Sequence, residues 1–364
     1  MYYFENIKMK TIVTPKDVSQ LLLDKNTVWH KYGEVNVVYD DILTLFSYSN
    51  HAQMSNRWNA FERMSRGLII NNETGEIVAR PFSKFFNLGQ NLNLKPTGHL
   101  IEATEKMDGS LGILYRKPEG SFAVATRGSF DGEQSQWATE FLNENYDLSE
   151  LPNEYTLLFE IIYPNNRIVV NYGKREDLVL IGAINRFTGE DLKFYDNDNC
   201  LQKFATQFGF SLPRTYRFNS VNDVIEASEK LSFNEEGYVL RFSCGTRLKV
   251  KGNNYLNAHR LMTGMNYKRV VEACALGTID ETLSIVPDEF HGEVAQHRDE
   301  IRAKVAFIDL SIKNAWDLAP KNGSRKEFAL WVKGHYNKLA PYLFAKIDNA
   351  SDEKIRSIIY KIEF

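Results

Sequence analysis

The hydrophobic periodicity of this chain changes near residue 255, and that change constrains the fold more than any other feature. Before it, short apolar or alternating runs lie between turn residues, which is typical of β-strands. Helical periodicity interrupts these runs at 134–145 and 198–208. The predicted strands span residues 67–71, 77–80, 100–105, 111–116, 122–126, 155–163, 178–184, 237–242 and 247–250.

Beyond residue 257 the strand pattern is absent, and apolar residues recur at three- and four-residue spacing, as at Val294, Ile301, Val305 and Ile308. This spacing predicts helices. A chain of 364 residues is long enough for two domains. We therefore expect an α+β fold, with an antiparallel-sheet domain over 1–254 followed by an all-α domain over 255–364.

Composition excludes several function classes. The net charge of −3 gives no general attraction for polyanions, so a nucleic acid would have to be bound by a local patch. The three cysteines show no metal-binding spacing, which favours a reducing compartment. The start of the chain lacks a leader pattern and no run is long enough to span a bilayer. We expect a cytoplasmic protein without a membrane partner.

The segment Glu105-Lys106-Met107-Asp108-Gly109-Ser110 is the strongest candidate for chemistry. An unprotonated lysine amine is a nucleophile, and desolvation or a nearby cation can supply one. Asp108 is expected to bond nearby backbone and Gly109 to accept a positive φ, so the lysine would face a cleft from a turn. Taken alone, the segment fits a solvated hairpin lysine better.

Two acidic positions could serve such a lysine. Glu160 lies inside an apolar strand, where an unpaired charge is costly, so a partner is expected; a structural salt bridge is the alternative. Glu235 and Glu236 stand at the entry to another strand, where their oxygens could reach a divalent metal. A solvated acidic turn is the alternative there.

Two further segments carry cationic residues. Strand periodicity places Arg247, Lys249 and Lys251 on one face, where an anion across the row would relieve their repulsion; a solvated face is the alternative. Residues 79–87 combine Arg80 and Lys84 with three aromatics. This mixture could stack a base and hold phosphates, or it could form a core edge with its cations reaching solvent.

In this order the segments resemble the covalent nucleotidyltransferase superfamily of polynucleotide ligases and capping enzymes, and most closely the phage-type RNA ligase 1 family that repairs cut tRNA. The resemblance covers nearly the whole chain and implies an adenylyltransferase domain in which Lys106 attacks the α-phosphate of ATP and carries AMP. It implies catalytic roles for Lys249 and Lys251 and metal binding by Glu160 and Glu236. Arg127 stands where the family often has a lysine. The implied nucleotide contacts are Arg66, Lys84, Phe86, Glu105, Lys106, Arg127, Glu160, Glu236, Lys249, Lys251 and Tyr255.

The reaction implied by this resemblance has three transfers with Mg²⁺, or alternatively Mn²⁺. Lys106 takes AMP from ATP, the 5′-phosphate of an RNA end takes AMP from Lys106, and a 3′-hydroxyl then attacks that phosphate and releases AMP. No histidine is assigned to catalysis.

The C-terminal helices distinguish among relatives, because DNA ligases and capping enzymes carry a small β-barrel after the last motif. The helices instead resemble the all-helical domain of the RNA ligase 1 family, which is implied to favour tRNA broken in the anticodon loop. The basic, aromatic stretch at 313–338 could contact RNA, although an exposed helix face fits equally well.

The expected partners are single-stranded RNA ends and broken tRNA, together with an end-healing kinase or phosphatase. We expect a monomer in the cytoplasm, which is the host cytoplasm if a phage encodes it. A capping-type guanylyltransferase using GTP, a DNA ligase and a non-catalytic RNA-binding relative remain alternatives.

Overall fold

The computed structural model describes residues 34–55, 58–90, 98–196, 199–263, 267–284, 286 and 291–364. The predictions that rest on the first residues of the chain and on residue 198 lie outside these ranges. The chain divides into two compact units, residues 1–262 and 263–364. The separate functions assigned to the two domains remain predictions.

The first unit contains three β-sheets. Their strands are β1 (Val35–Asp40), β2 (Leu43–Tyr48), β3 (Arg66–Asn71), β4 (Ile77–Ala79), β5 (Phe86–Asn87), β6 (Leu100–Lys106), β7 (Ser110–Arg116), β8 (Phe122–Ala125), β9 (Tyr155–Ile162), β10 (Asp177–Asn185), β11 (Thr215–Tyr216), β12 (Gly237–Phe242) and β13 (Arg247–Lys251). The strand orders are β1-β2-β3-β4, β10-β9-β7-β8 and β11-β6-β12-β13-β5. All pairings are antiparallel except the parallel contact of β13 with β5.

All nine predicted strands are confirmed, with ends that differ by one residue at most. Four strands were not predicted: β1, β2, β5 and β11. Every residue of β2 is buried, including Thr44 and Ser47, so the strand has no polar face to produce an alternating pattern. The strands β5 and β11 have two residues each, too few to show any period.

The described residues of the first unit also form six helices. They are α1 (Asn50–Ser55), α2 (Ala60–Met64), α3 (Glu133–Asn145), α4 (Leu201–Phe208), α5 (Val221–Glu229) and α6 (Asn253–Thr263). Apolar residues of β9 point alternately to two cores: Leu158 packs with the β1–β4 sheet, whereas Leu157 and Phe159 pack with α3 and α4. The strand that carries Glu160 is therefore buried on both faces.

All the regular secondary structure in the described part of the second unit is helical. Its helices are α7 (Tyr267–Leu276), α8 (Ile279–Ser284), α9 (His291–Asp317), α10 (Arg325–His335), α11 (Ala340–Ile347) and α12 (Asp352–Glu363). Val294, Ile301, Val305 and Ile308 lie on the buried side of α9, as their spacing predicts. The α+β fold class is thus confirmed. Within the described ranges, no helix has both the length and the apolar character needed to cross a bilayer.

In the basic stretch at 313–338, lysine side chains are exposed to solvent, while two tryptophan rings are partly buried. Lys313, Lys321 and Lys333 are exposed, while the rings of Trp316 and Trp331 pack against Phe328. Contact of this surface with RNA remains a prediction.

Candidate active site

Lys106 ends strand β6 and lies in a cavity of about 240 Å³. Its side chain is only 19% exposed, so the solvated-hairpin alternative is wrong. Its Nζ donates a hydrogen bond to Glu236 Oε2 at 2.6 Å. The lysine at the end of β6 is thus held in place by the carboxylate of the residue that precedes β12.

The register of three adjacent strands explains this contact. Gly237, at the start of β12, is paired with Lys106 of β6 on one side and with Lys251 of β13 on the other. Glu236 immediately precedes Gly237, so its carboxylate reaches both amines: Lys251 Nζ lies 3.4 Å from Glu236 Oε1. The Glu236 side chain is only 3% exposed, and the solvated acidic turn is therefore wrong for this residue.

The close pairing requires a glycine at position 237. Its φ is +149°, a conformation that L side chains rarely adopt. A Cβ at this position would lie 2.0 Å from the carbonyl oxygen of Val250 and 2.7 Å from Lys251 Cα. Any side chain here would separate β12 from β13 and move Glu236 away from the lysines.

The lysines determine the charge state of Glu236. Burial favours the neutral acid, but the charges of Lys106, Lys251 and Lys249 outweigh it and hold the pKa of Glu236 below its ordinary value. A buried carboxylate is thereby stabilised in the middle of a cluster of cations.

The cavity is lined partly by charged residues and partly by apolar ones. Arg66 is notable because its Nη1 is buried and has no hydrogen-bond partner among the described residues. Such an orphaned donor is costly unless a bound group accepts from it. The charged lining residues are Arg66, Glu102, Glu105, Lys106, Glu160, Arg241, Arg247, Lys249 and Lys251, and the apolar ones include Phe82, Phe85, Leu111, Ile181 and Val239.

Glu160 faces the same cavity from β9. Its Oε1 accepts a hydrogen bond from the backbone N–H of Gly109 at 3.0 Å. Burial raises the pKa of Glu160 to about 7, and although Lys106 opposes this shift, Glu236 and Asp108 add to it. No cation of the described residues forms an ion pair with Glu160, so the structural salt bridge considered for it is not found there.

This distribution of charge suits an added cation. Glu236 and Asp108 each raise the pKa of Glu160, which means that the three acids disfavour one another's ionisation. In the described part of the chain, no three His, Cys, Asp or Glu side chains come together as a metal site. Metal binding by Glu160 and Glu236 therefore stays a prediction.

Asp108 does more than form a turn. Its Oδ2 accepts hydrogen bonds from the backbone N–H groups of Val169 at 2.8 Å and Val170 at 2.7 Å, and its Oδ1 accepts from the Tyr255 hydroxyl at 2.8 Å. Burial, followed by the charge of Glu236, raises the pKa of Asp108. The expectation that Asp108 bonds nearby backbone was wrong, because its partners are more than 60 residues away.

Gly109 is needed for close approach rather than for a positive φ. It is absent from the glycines with left-handed backbone, but a Cβ there would lie 2.6 Å from the carbonyl oxygen of Ile161. The absence of a side chain lets the turn pack onto β9 and brings Gly109 N–H to Glu160.

The predicted nucleotide-binding residues fall into two groups. Arg66, Glu105, Lys106, Glu160, Lys249 and Lys251 line the cavity, and Glu236 bonds Lys106. Lys84, Phe86, Arg127 and Tyr255 are not among the lining residues. Tyr255 instead lies behind the turn, at Asp108.

Lys84 occupies a box of aromatic rings. Its side chain is buried, and its Nζ lies 5.3, 5.2 and 5.8 Å from the ring centroids of Tyr48, Trp58 and Phe86. Arg127 approaches the same Tyr48 ring at 4.7 Å. Lys84 therefore contacts the protein's own rings, and the stacking of a base by residues 79–87 stays a prediction.

The cation row of β13 is also partly neutralised from within the protein. Arg247 forms a short ion pair with Asp191, which also pairs with Arg241, and Arg241 lies 3.4 Å from Glu102. The Arg247 and Lys251 side chains are 13% and 9% exposed, so the solvated face is wrong. This four-residue network was missed in the sequence, where the only signals were Glu102 and Arg241, charged residues inside strand patterns.

Three sheets, antiparallel except where β13 pairs with β5, contribute residues to a cation-rich cavity that contains Lys106, as expected of a nucleotidyltransferase. A family model described as RNA ligase matches residues 64–256, more than half of the chain. The protein therefore belongs to the phage-type RNA ligase 1 family, and the resemblance of its motifs is confirmed.

Two relatives are similar to this chain in sequence. The chain is 28% identical, over 66% of its length, to a protein of Autographa californica nuclear polyhedrosis virus named "Putative bifunctional polynucleotide kinase/RNA ligase". It is 30% identical, over 58% of its length, to a "Putative RNA ligase" of Thermovibrio ammonificans. The matches span 38% and 58% of the lengths of these two relatives. A solved archaeal ATP-dependent RNA ligase has 13% identity and a TM-score of 0.44, with 76% of this chain and 77% of that chain covered.

Proposed function

We propose that this protein is an ATP-dependent RNA ligase that joins a 5′-phosphate to a 3′-hydroxyl through an AMP carried on Lys106. The observation that supports this most directly is the arrangement of Lys106, Glu236 and Lys251. It presents an amine to a cavity and places a second cation beside it. A reaction at a phosphate needs both a nucleophile and fixed positive charge around the phosphate oxygens.

In the first step, the deprotonated Nζ of Lys106 attacks the α-phosphorus of ATP. A nitrogen–phosphorus bond forms, the bond from the α-phosphorus to the bridging oxygen breaks, pyrophosphate leaves with the bonding electrons, and Nζ releases one proton to the solvent. Lys249, Lys251 and Arg66 line the same cavity and would stabilise the charge on the phosphate oxygens. The apolar lining would accept the base, and Glu160 would accept a hydrogen bond from the ribose.

Glu160 and Glu236 would hold Mg²⁺ or Mn²⁺. A bound divalent ion would offset the negative charge of the phosphates. Glu236 would then be shared between the ion and the lysines, so its contact with Lys106 must change when the nucleotide arrives.

Two further steps complete the ligation. An oxygen of the RNA 5′-phosphate attacks the phosphorus of the adenylate, the nitrogen–phosphorus bond breaks and Lys106 recovers its amine. A 3′-hydroxyl then attacks the activated 5′-phosphorus, losing its proton, and AMP leaves. Each step exchanges one bond to phosphorus for another, so no oxidant or reductant is needed.

We propose broken tRNA as the substrate, with the helical second unit contributing specificity. The exposed cations of that unit are suited to RNA phosphates. The name of the viral relative, which includes a polynucleotide kinase, supports pairing with an end-healing enzyme that prepares the 5′-phosphate.

The test is a labelling experiment with ATP and GTP, each carrying α-³²P, in the presence of Mg²⁺. We expect a covalent adduct with ATP alone, located on the peptide that contains Lys106. Lys106→Ala should abolish both the adduct and sealing, while the matched control Lys117→Ala should retain both. Labelling by GTP would favour a capping enzyme, and an undiminished adduct in Lys106→Ala would refute the proposed nucleophile.

A further inference from the structure

A segment that none of the proposed reaction steps uses, residues 166–172, bonds the turn that follows β6. Ser110 Oγ donates a hydrogen bond to Asn166 Oδ1 at 3.1 Å. The backbone N–H of Asp108 donates to the Tyr172 hydroxyl at 2.9 Å. The position of the turn therefore depends on a segment that lies more than 50 residues further along the chain.

The Tyr172 side chain is itself fixed within this segment. The backbone N–H of the preceding residue, Asn171, donates to Asn234 Oδ1 at 2.6 Å, which ties the segment to the loop before β12. The Tyr172 ring packs against two buried clusters, whose members are Met107, Ile162 and Val179 in one and Val169, Val170 and Tyr255 in the other. Buried contacts therefore set the place of the Tyr172 hydroxyl.

The hydrogen bond from Asp108 to Tyr172 orients one peptide unit, the one between Met107 and Asp108. In a planar trans peptide the N–H and the C=O point in opposite directions, so holding the N–H also sets the direction of the Met107 carbonyl. That carbonyl oxygen accepts a hydrogen bond from Lys106 Nζ at 3.4 Å. One rigid peptide group thus links the Tyr172 hydroxyl to the lysine amine.

Lys106 Nζ has two hydrogen-bond partners in the described part of the chain. The stronger is the Glu236 carboxylate at 2.6 Å, and the other is the Met107 carbonyl. The amine must be deprotonated before it attacks ATP, and a neutral amine forms a weaker hydrogen bond to a carboxylate than an ammonium does. The carbonyl therefore contributes a larger share of the restraint on the amine when the amine is reactive.

We propose that Tyr172 is a positioning residue for the nucleophile: its hydroxyl holds the peptide between Met107 and Asp108 and thereby directs the Lys106 amine. The inference rests on the proposed ligase function, because it concerns the transfer of AMP to Lys106. In the described structure Tyr172 is not among the residues that line the nucleotide cavity. Its effect is therefore on the amine and not on the binding of ATP.

The experiment compares Tyr172→Phe with the unmodified full-length protein in two reactions. The first is adduct formation over a range of α-³²P ATP concentrations, which gives a maximal rate and a half-saturating concentration. The second is the sealing of RNA that already carries AMP on its 5′-phosphate, in which Lys106 is not the nucleophile. Tyr155→Phe is the matched control, because Tyr155 is also half-buried and its hydroxyl also accepts a hydrogen bond, from Asn199 Nδ2 at 2.8 Å.

We expect Tyr172→Phe to lower the maximal rate of adduct formation about threefold to tenfold, as for the loss of one hydrogen bond between neutral groups. The half-saturating ATP concentration and the rate of sealing pre-adenylated RNA should stay within about twofold, because neither depends on the direction of the amine. Tyr155→Phe should leave all three quantities unchanged. The two variants each lose one hydrogen bond, so their melting temperatures should fall by similar amounts.

An unchanged rate of adduct formation in Tyr172→Phe would overturn the proposal. A parallel loss in both reactions would also overturn it, because the residue would then support the site as a whole. A raised half-saturating ATP concentration at an unchanged maximal rate would do the same, because Tyr172 would then serve nucleotide binding. Absence of an adduct in the unmodified protein would instead refute the ligase function, and the inference with it; the other three results arise only when that adduct forms.

Discussion

Lys106 and Glu236, 130 residues apart in the sequence, form a hydrogen-bonded ion pair of 2.6 Å inside the first unit. The pair exists because the first residue of β12 is in register with the last residue of β6. The same carboxylate lies 3.4 Å from Lys251. One acid thus positions two amines, and its removal should affect both the fold and the chemistry.

We predict that Glu236→Ala lowers the free energy of unfolding by about 3–5 kcal/mol, because two largely buried ammonium groups lose their counter-charge. Adduct formation with ATP should fall by more than about tenfold, because Lys106 is no longer held and one proposed metal ligand is lost. Urea unfolding and labelling with α-³²P ATP measure the two effects.

The neighbouring acid provides the control. Glu235 bonds Ser232 on the surface side of the same turn, so Glu235→Ala should leave both measurements nearly unchanged. If Glu236→Ala retains full stability and normal labelling, the carboxylate has neither of the roles assigned to it.

A second prediction concerns Gly237→Ala. The new Cβ would lie 2.0 Å from the carbonyl oxygen of Val250, which must separate β12 from β13 and displace Glu236. We expect a loss of several kcal/mol, above the roughly 1 kcal/mol of an ordinary strained glycine position, and loss of the adduct. Gly245→Ala is the matched control, since Gly245 has a φ of +81° but open space around it. Comparable losses in the two variants would show that backbone conformation, not the clash, causes the effect.

Local patterns in the sequence predicted much of this fold. The nine strands and the helical second unit follow from periods of two and 3.6 residues, whereas the roles expected of Asp108 and Gly109 in the Lys106 turn were wrong. The contacts between segments could not be predicted that way. Strand register decides whether Arg247 faces a ligand or Asp191. Helix placement decides whether Tyr255 reaches a nucleotide or Asp108. A single sequence specifies neither the register nor the placement.

The third prediction is a pH dependence that arises from Glu160. Burial raises its pKa from 4.5 to about 7. The folded state then binds this proton more tightly than the unfolded state, so the stabilising contribution is complete below pH 4.5 and is lost as the pH rises through 7. We expect the ligand-free protein to lose about 3 kcal/mol from this group over that interval.

Glu160→Gln isolates the effect, because the amide has nearly the same shape and does not titrate. The variant should be more stable than the unmodified protein at pH 8, and the difference should shrink toward pH 5 in guanidinium unfolding curves. A difference that is constant with pH would show that Glu160 does not have the raised pKa. Mn²⁺ should reduce the difference at pH 8 if the ionised carboxylate helps to hold the ion.

The last prediction separates the two units by truncation before and after α6. Residues 1–263 keep all of α6 and therefore the Tyr255 hydroxyl that bonds Asp108 at 2.8 Å. This truncated protein should form the AMP adduct within about threefold of the full chain, whereas 1–252 should lose about tenfold or more, because a buried carboxylate loses a hydrogen bond beside the nucleophile. Tyr255→Phe in 1–263 tests whether the hydroxyl itself is responsible.

If the second unit confers specificity, 1–263 should seal broken tRNA poorly while still sealing unstructured RNA. Equal sealing of the two RNAs by both proteins would exclude a role of the helical unit in tRNA recognition.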